Sequence, residues 1–402
     1  MTPAARVQAA IECLDQAVAA ARTGGAAADT IVQRYFTTRR YAGSKDRRAV
    51  RDLVFDVIRS IGTVPESGRA ALIGHARANA PEVLELFTGT ADTAGHAPAL
   101  LVEGEPEARP SLAPGWQLDM LRTRFGKGTD KVVAALLDRA PLDLRVNTLM
   151  ANRDELLIEL PDLAPTALSP TGLRAPTGLN IETLPAFHAG KIEVQDEGSQ
   201  LAALAVGALP GENIIDLCAG AGGKTLALAA AMANEGRLVA ADTDRGRLSA
   251  MPQRLARAGV TITDIRMLNP RKEWDALKDL AGLADRVLID APCSGTGTWR
   301  RNPEARWRLT AERLGKLEGE QDRLLSLAAQ LVKIGGSLTY VVCSLLPGEG
   351  EGRINAFLLK HGGFRPQEFS IPGMAAPAPT LVLSPAEQGC DGFFIARLER
   401  VC

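Results

Sequence analysis

The chain has no C-x-x-C pair, no long apolar run, no internal repeat and almost no net charge, and each absence excludes something. Its six cysteines, Cys13, Cys218, Cys293, Cys343, Cys390 and Cys402, are scattered. That argues against a zinc site or a disulfide scaffold and fits free thiols in a reducing compartment. A membrane-spanning helix needs about 20 consecutive apolar residues, and no such stretch occurs. The opening MTPAARVQAAIECLDQ carries acids early and lacks a compact apolar core, so it makes a poor signal peptide. The expectation is a cytoplasmic monomer with no membrane partner and no metal. The formal net charge is −1, so any nucleic-acid surface must come from local clustering. A length of 402 residues implies two or three domains.

The first hundred or so residues read as helices. Val7, Ile11, Leu14 and Val18 recur at helical spacing, as do Val50, Leu53, Val54, Val57 and Ile58, with Ser44 as the expected cap of that second stretch. Arg34 to Arg59 holds eight basic and three acidic residues. Arg39, Arg40, Lys45, Arg47 and Arg48 carry most of the excess, which marks either a solvated helix face or an RNA-facing one. The stretch near 90–115 is rich in Gly, Pro, Ala and acids and reads as linker. Helical segments, LDMLRTRF and DKVVAALLDRA, lead into a strand, LDLRVNTL, and then short segments broken by Pro and Gly. A small α+β unit is expected there. From about residue 191 strands and helices alternate, which predicts a doubly wound, mostly parallel α/β sheet.

In such sheets ligands bind at the carboxyl ends of strands where the strand order reverses. The first strand of this region runs into Cys218, Ala219, Gly220, Ala221, Gly222, Gly223 and Lys224, a turn whose glycines let the backbone pass close to a ligand. The next strand ends in Asp242, an acid about twenty residues on, placed to accept hydrogen bonds from ribose hydroxyls. A nucleoside-bearing cofactor suits this arrangement. A P-loop does not: counting back from Lys224, its first glycine belongs at position 218, which is cysteine.

Two further segments, Asp290-Ala291-Pro292-Cys293-Ser294 and Val341-Val342-Cys343-Ser344, each put a cysteine just past an apolar strand. Adjacent strands bring both thiols to the cofactor end. Carbon 5 of cytosine is a poor nucleophile. A thiolate added to carbon 6 makes it an enamine, which can attack a methyl donor. Asp290 is placed to support the base near N3. Cys13, Cys390 and Cys402 read as small buried hydrophobes, and Cys218 as a backbone position in the turn. Trp299 and Trp307 read as core. Arg300 and Arg301, just past Cys293, are read as RNA contacts.

These residues resemble the RsmB/Sun family of ribosomal RNA cytosine-5 methyltransferases. VQDEGSQLAAL, DLCAGAGGKT, AADTD, DAPCSGTGTWRRNPEARW, VVCSLLPGEGE and DGFFIARL match its blocks over most of the chain. The resemblance implies S-adenosylmethionine as cofactor, held by residues 218–224, Asp242 and Asp290. It makes Cys343 the nucleophile, with Cys293 assisting product release. It implies a NusB-like helical RNA-binding domain over 1–135, a small α+β RNA-binding module over 136–190 and a class I methyltransferase domain over 191–402. The favoured substrate is 16S ribosomal RNA, with transfer RNA second. One departure concerns the loop after the third strand, where the family offers Asp and Asn269 is the nearest candidate. Two other readings are a methyltransferase acting on protein or small molecules, which has no need of paired thiols, and an RNA-binding assembly factor with a vestigial cofactor pocket.

Overall fold

The computed structural model describes residues 1–90, 96–374 and 376–402, so 91–95 of the expected linker lie outside the described residues. The chain divides into two compact units, Met1–Asp138 with Thr298–Ala311, and Arg139–Gly297 with Glu312–Cys402.

The first unit is helical: α1 (Pro3–Thr23), α2 (Ala28–Thr37), α3 (Ser44–Ser60), α4 (Gly68–Asn79), α5 (Gly115–Phe125) and α6 (Thr129–Leu137). Thr2 caps α1, its side chain accepting from the Ala5 amide, and Val7, Ile11, Leu14 and Val18 form the buried stripe that periodicity predicts. At α3 the expectation needs correction. Gly43, not Ser44, is the cap residue, and Ser44 is the first helical position. Asp46 takes over the side-chain role, reaching back from the third position to accept from the Gly43 amide.

The segment Thr298–Ala311 completes this unit. Arg306 is 1% exposed, and its guanidinium donates to the carbonyls of Ile58 (2.6 Å) and Pro303 (2.9 Å). Trp307 donates from Nε1 to the Ile61 carbonyl at 2.7 Å, and Glu304 accepts from the Ala28 amide at 3.0 Å. Buried polar groups are stable when satisfied in this way. Trp299 and Trp307 are core, as read from the sequence.

The second unit opens with a four-stranded antiparallel sheet ordered β2-β3-β1-β4: β1 (Leu142–Val146), β2 (Ala164–Pro165), β3 (Gly172–Ala175) and β4 (Ile192–Val194). The main sheet follows: β5 (Asn213–Leu217), β6 (Arg237–Asp242), β7 (Thr263–Met267), β8 (Ala284–Asp290), β9 (Val332–Val342), β10 (Phe364–Pro366), β11 (Thr380–Leu383) and β12 (Phe393–Arg400). Its order is β10-β12-β9-β8-β5-β6-β7, with β11 also paired to β12. β5 to β9 pair in parallel, and β12 is antiparallel to β9, β10 and β11. The central parallel strands β5 and β6 have near-continuous buried runs because helices cover both faces, while β7 at the edge is only half-buried. The chain steps from β5 outward to β6 and β7, then returns to place β8 on the other side of β5. The strand order therefore reverses at β5, and the crevice lies past the carboxyl ends of β5 and β8. Among the described residues no helix is long and apolar enough to cross a membrane.

Candidate active site

The turn after β5 carries three residues in the left-handed region. Cys218 has φ 70°, Gly220 57° and Gly222 87°. The positive φ at Gly220 is what calls for glycine there, since a Cβ would meet only the mobile end of the exposed Arg247 side chain. A non-glycine residue at positive φ is uncommon, and Cys218 marks the point where the strand breaks toward the crevice. The Asp242 carboxylate at the end of β6 pins the turn. It accepts from the Gly220 amide and from the Asp244 amide, both at 2.7 Å.

Past β8 and β9 the two motif thiols meet. Cys293 Sγ and Cys343 Sγ are 3.3 Å apart, although the residues stand fifty positions apart in sequence. The hydrogen bond to Cys343, together with burial, pushes the Cys293 thiol well above its usual range. Asp290, ending β8, receives a 2.8 Å hydrogen bond from Lys224 Nζ. Burial disfavours the Lys224 charge, but the facing Asp290 carboxylate outweighs it and raises the ammonium above the usual lysine value.

A cavity of about 390 Å³ brings Cys218, Asp242, Asp290, Cys293 and Cys343 together with Leu268, Pro292 and Leu324, a size suited to a nucleotide-like ligand. A second cavity, of about 290 Å³, shares Cys218 and Asp290 with it and is lined by Ala219, Ala221, Gly223 and Lys224. Asn269 is exposed, and neither lining includes it. Leu268 and Glu273 hold that part of the wall instead. Arg39, Arg40, Lys45, Arg47, Arg48, Arg300 and Arg301 all fall in the helical unit. Arg40, Lys45, Arg47 and Arg48 are exposed, Arg39 pairs with Glu12, and Arg300 is buried. Of the remaining cysteines, Cys13 and Cys390 are buried as expected. Cys402 is exposed, a correction with a simple cause: it lies past β12, beyond the layers that cover the sheet.

Sequence reasoning missed Asp216, Glu349 and Gln321. Asp216 sits inside β5, where an acid in an apolar run was the available signal. Burial pushes its carboxyl up to about 7, the hydrogen bond from Thr225 Oγ1 (2.6 Å) opposes this, and the nearby Asp290 and Asp242 reinforce it. The native pKa lies above the ordinary 3.8, so the folded state holds a proton that the unfolded chain releases first. Its contribution to stability is full at low pH and is lost as pH rises through about 7. Asp216→Asn should therefore flatten the fall in stability between about pH 4 and about pH 7, by an amount on the order of a few kcal/mol. Thermal unfolding at the two pH values checks this, and identical pH slopes for the two proteins would count against it.

The reversal at β5, the glycine turn and the acid ending β6 define a class I methyltransferase fold. The comparisons agree. Residues 203–399 match the family model described as 16S rRNA methyltransferase RsmB/F, and residues 113–183 match its RsmF/B-like ferredoxin-like domain. Ribosomal RNA small subunit methyltransferase B of Sodalis glossinidius is 35% identical over 305 residues, covering 75% of this chain and 69% of the relative. A probable ribosomal RNA small subunit methyltransferase B of Synechocystis is 36% identical over 300 residues, covering 71% of this chain and 66% of the relative. Among solved structures, PH0851 is 26% identical with a TM-score of 0.77, covering 100% of this chain and 99% of that one. A methyltransferase homolog protein from Pyrococcus horikoshii is 28% identical with a TM-score of 0.60, covering 70% and 93%. The chain belongs to the RsmB/F methyltransferase family, and its alignments span about two thirds of the curated relatives' length.

Proposed function

We propose that this protein methylates carbon 5 of a cytosine in ribosomal RNA, with 16S RNA as the favoured substrate, using S-adenosylmethionine and a cysteine nucleophile. The observation that carries the reading is the 3.3 Å approach of Cys293 and Cys343 on one cavity with Asp290 and Asp242. The names of the relatives support ribosomal RNA.

The cavity fits the cofactor. Asp242 lines it as an acceptor for ribose hydroxyls, Leu268 and Leu324 are apolar wall for an adenine, and the residue 218–224 turn passes close by. When bound, S-adenosylmethionine supplies an electrophilic methyl group for carbon 5. The chain's own groups do the rest. Cys343 Sγ adds to carbon 6 of the extruded base, and the electron pair of the ring double bond moves toward carbon 5. Asp290, oriented by Lys224, supports the base at N3. After methylation a base takes the carbon 5 proton, its bonding pair re-forms the double bond, and Cys343 leaves as thiolate. Cys293 holds a proton beside that sulfur and stabilises its departure. The functional division that goes with this reading is a helical RNA-binding domain over 1–135, a small RNA-binding module over 136–190 and the catalytic domain over 191–402. The exposed Arg40, Lys45, Arg47 and Arg48 serve RNA phosphates.

Bisulfite sequencing of ribosomal and transfer RNA from cells with and without the protein tests the substrate. One cytosine in 16S RNA should become convertible when the protein is absent. Loss of a transfer RNA signal alone would reassign the substrate, and no change in either would sink the reading.

A further inference from the structure

Each motif cysteine is followed by a serine, and both serines end on one buried carboxylate. Glu349 is 0% exposed. Its Oε1 accepts from the Ser294 amide at 2.8 Å and from Gln321 Nε2 at 3.0 Å. Its Oε2 accepts from Ser344 Oγ at 2.5 Å and also from Ser294 Oγ. The two hydroxyls are 3.1 Å apart. Gln321, on the helix Ala311–Leu331, donates also to the Pro292 carbonyl at 2.9 Å. Tyr340, on β9, donates to the Glu349 carbonyl at 2.8 Å. The loop after β8 and the loop after β9 are thus tied through this side chain, alongside a 3.0 Å bond from the Gly297 amide to the Cys343 carbonyl and a 2.8 Å bond from the Leu345 amide to Thr296 Oγ1.

A carboxylate taken wholly out of water is costly unless its lone pairs are filled, and here four donors fill them. Glu349 is absent from the lining of the cofactor cavity, so it does not act on the donor or the base. What it fixes is the spacing of two loops that have no covalent reason to hold their sulfurs 3.3 Å apart. We propose that Glu349 is a positioning residue that sets the Cys293–Cys343 geometry through Ser294 and Ser344. The proposal rests on the thiols working as a pair, as under Proposed function, and its test has a readout independent of methylation.

That readout is disulfide formation between Cys293 and Cys343 driven by an azodicarboxamide oxidant. The two thiols give up two protons and two electrons, the azo group becomes a hydrazine, and the linked peptide is counted by mass spectrometry. Glu349→Ala should slow this bond at least about tenfold and lower the kcat of methylation by about 100-fold, the usual cost of displacing reacting groups by about 1 Å. KM for RNA and Kd for the cofactor should stay within about twofold, since Glu349 is fully buried and lines neither cavity. Glu349→Gln should restore both rates to within about threefold. Its carbonyl replaces Oε1, and its amide donates to serine hydroxyls that can also accept. Leu398→Ala, a core truncation in β12, should lower Tm without changing the disulfide rate. If Glu349→Ala fails to fold, the Ser294→Ala, Ser344→Ala double variant must show the same slowing. An unchanged disulfide rate in the alanine variants, a glutamine variant as slow as alanine, or equal slowing in Leu398→Ala would each overturn the proposal. A Glu349 series that behaves as expected in a protein that methylates no RNA would support the positioning role while refuting the substrate reading.

Discussion

On the proposed mechanism Cys343→Ala should reduce methyl transfer to RNA by at least about 1,000-fold, because it removes the attacking atom. Cofactor binding should survive, since Asp242, Leu268 and the glycine turn are untouched. The Lys224–Asp290 pair, at 2.8 Å, should also persist, so the variant isolates nucleophilic attack from base support. Single-turnover assays with labelled cofactor, run beside equilibrium dialysis for cofactor binding, make the comparison. Transfer within about tenfold of the parent would remove Cys343 from the role, because general base and positioning effects alone leave far less than that when a nucleophile is lost.

Cys293→Ala should behave differently: the base should be attacked and methylated, but the protein should remain attached to the RNA. In the parent the Cys293 thiol lies 3.3 Å from the Cys343 sulfur, and that hydrogen bond together with burial raises it above the usual thiol range. Removing it takes away the group that stabilises the departing thiolate, so a thioether between Cys343 and carbon 6 accumulates. Multiple turnover should fall by about 100-fold, the lower end of the range for loss of one proton-handling group. A denaturing gel reads the adduct as a mass-shifted band that needs both RNA and cofactor. The double variant lacking both thiols should show none. An adduct that forms in Cys343→Ala instead would reverse the two roles. No adduct in either single variant would end the division of labour.

The catalytic half was legible because its signals are local. A buried strand, a glycine turn and an acid about twenty residues on lie within thirty residues of sequence, and each is dictated by short-range backbone needs. The thiols could be paired in advance because adjacent parallel strands deliver their ends to one edge. Side-chain partners at a distance were not legible. Glu349 looks like one acid in a Pro-Gly-rich loop until β9 and the helix Ala311–Leu331 converge on it. Asp216 looks like a break in an apolar strand until Thr225 is seen to donate to it. Asn269 was the nearest candidate in the loop after the third strand, and Leu268 and Glu273 line the cavity there. Arg300 follows the Cys293 segment in sequence, yet it is buried within the segment Thr298–Ala311 that folds with the helical unit.

The order of elements, the glycine turn and the placement of both motif cysteines past adjacent strands were therefore legible in sequence alone, since periodicity, backbone sterics and motif spacing act over a few residues. Only tertiary structure decided how close the thiols come, which carboxylate holds their loops, and that Thr298–Ala311 leaves the sheet to pack among helices. Those outcomes depend on burial and on hydrogen-bond partners drawn from tens to hundreds of residues away, and no local pattern encodes them.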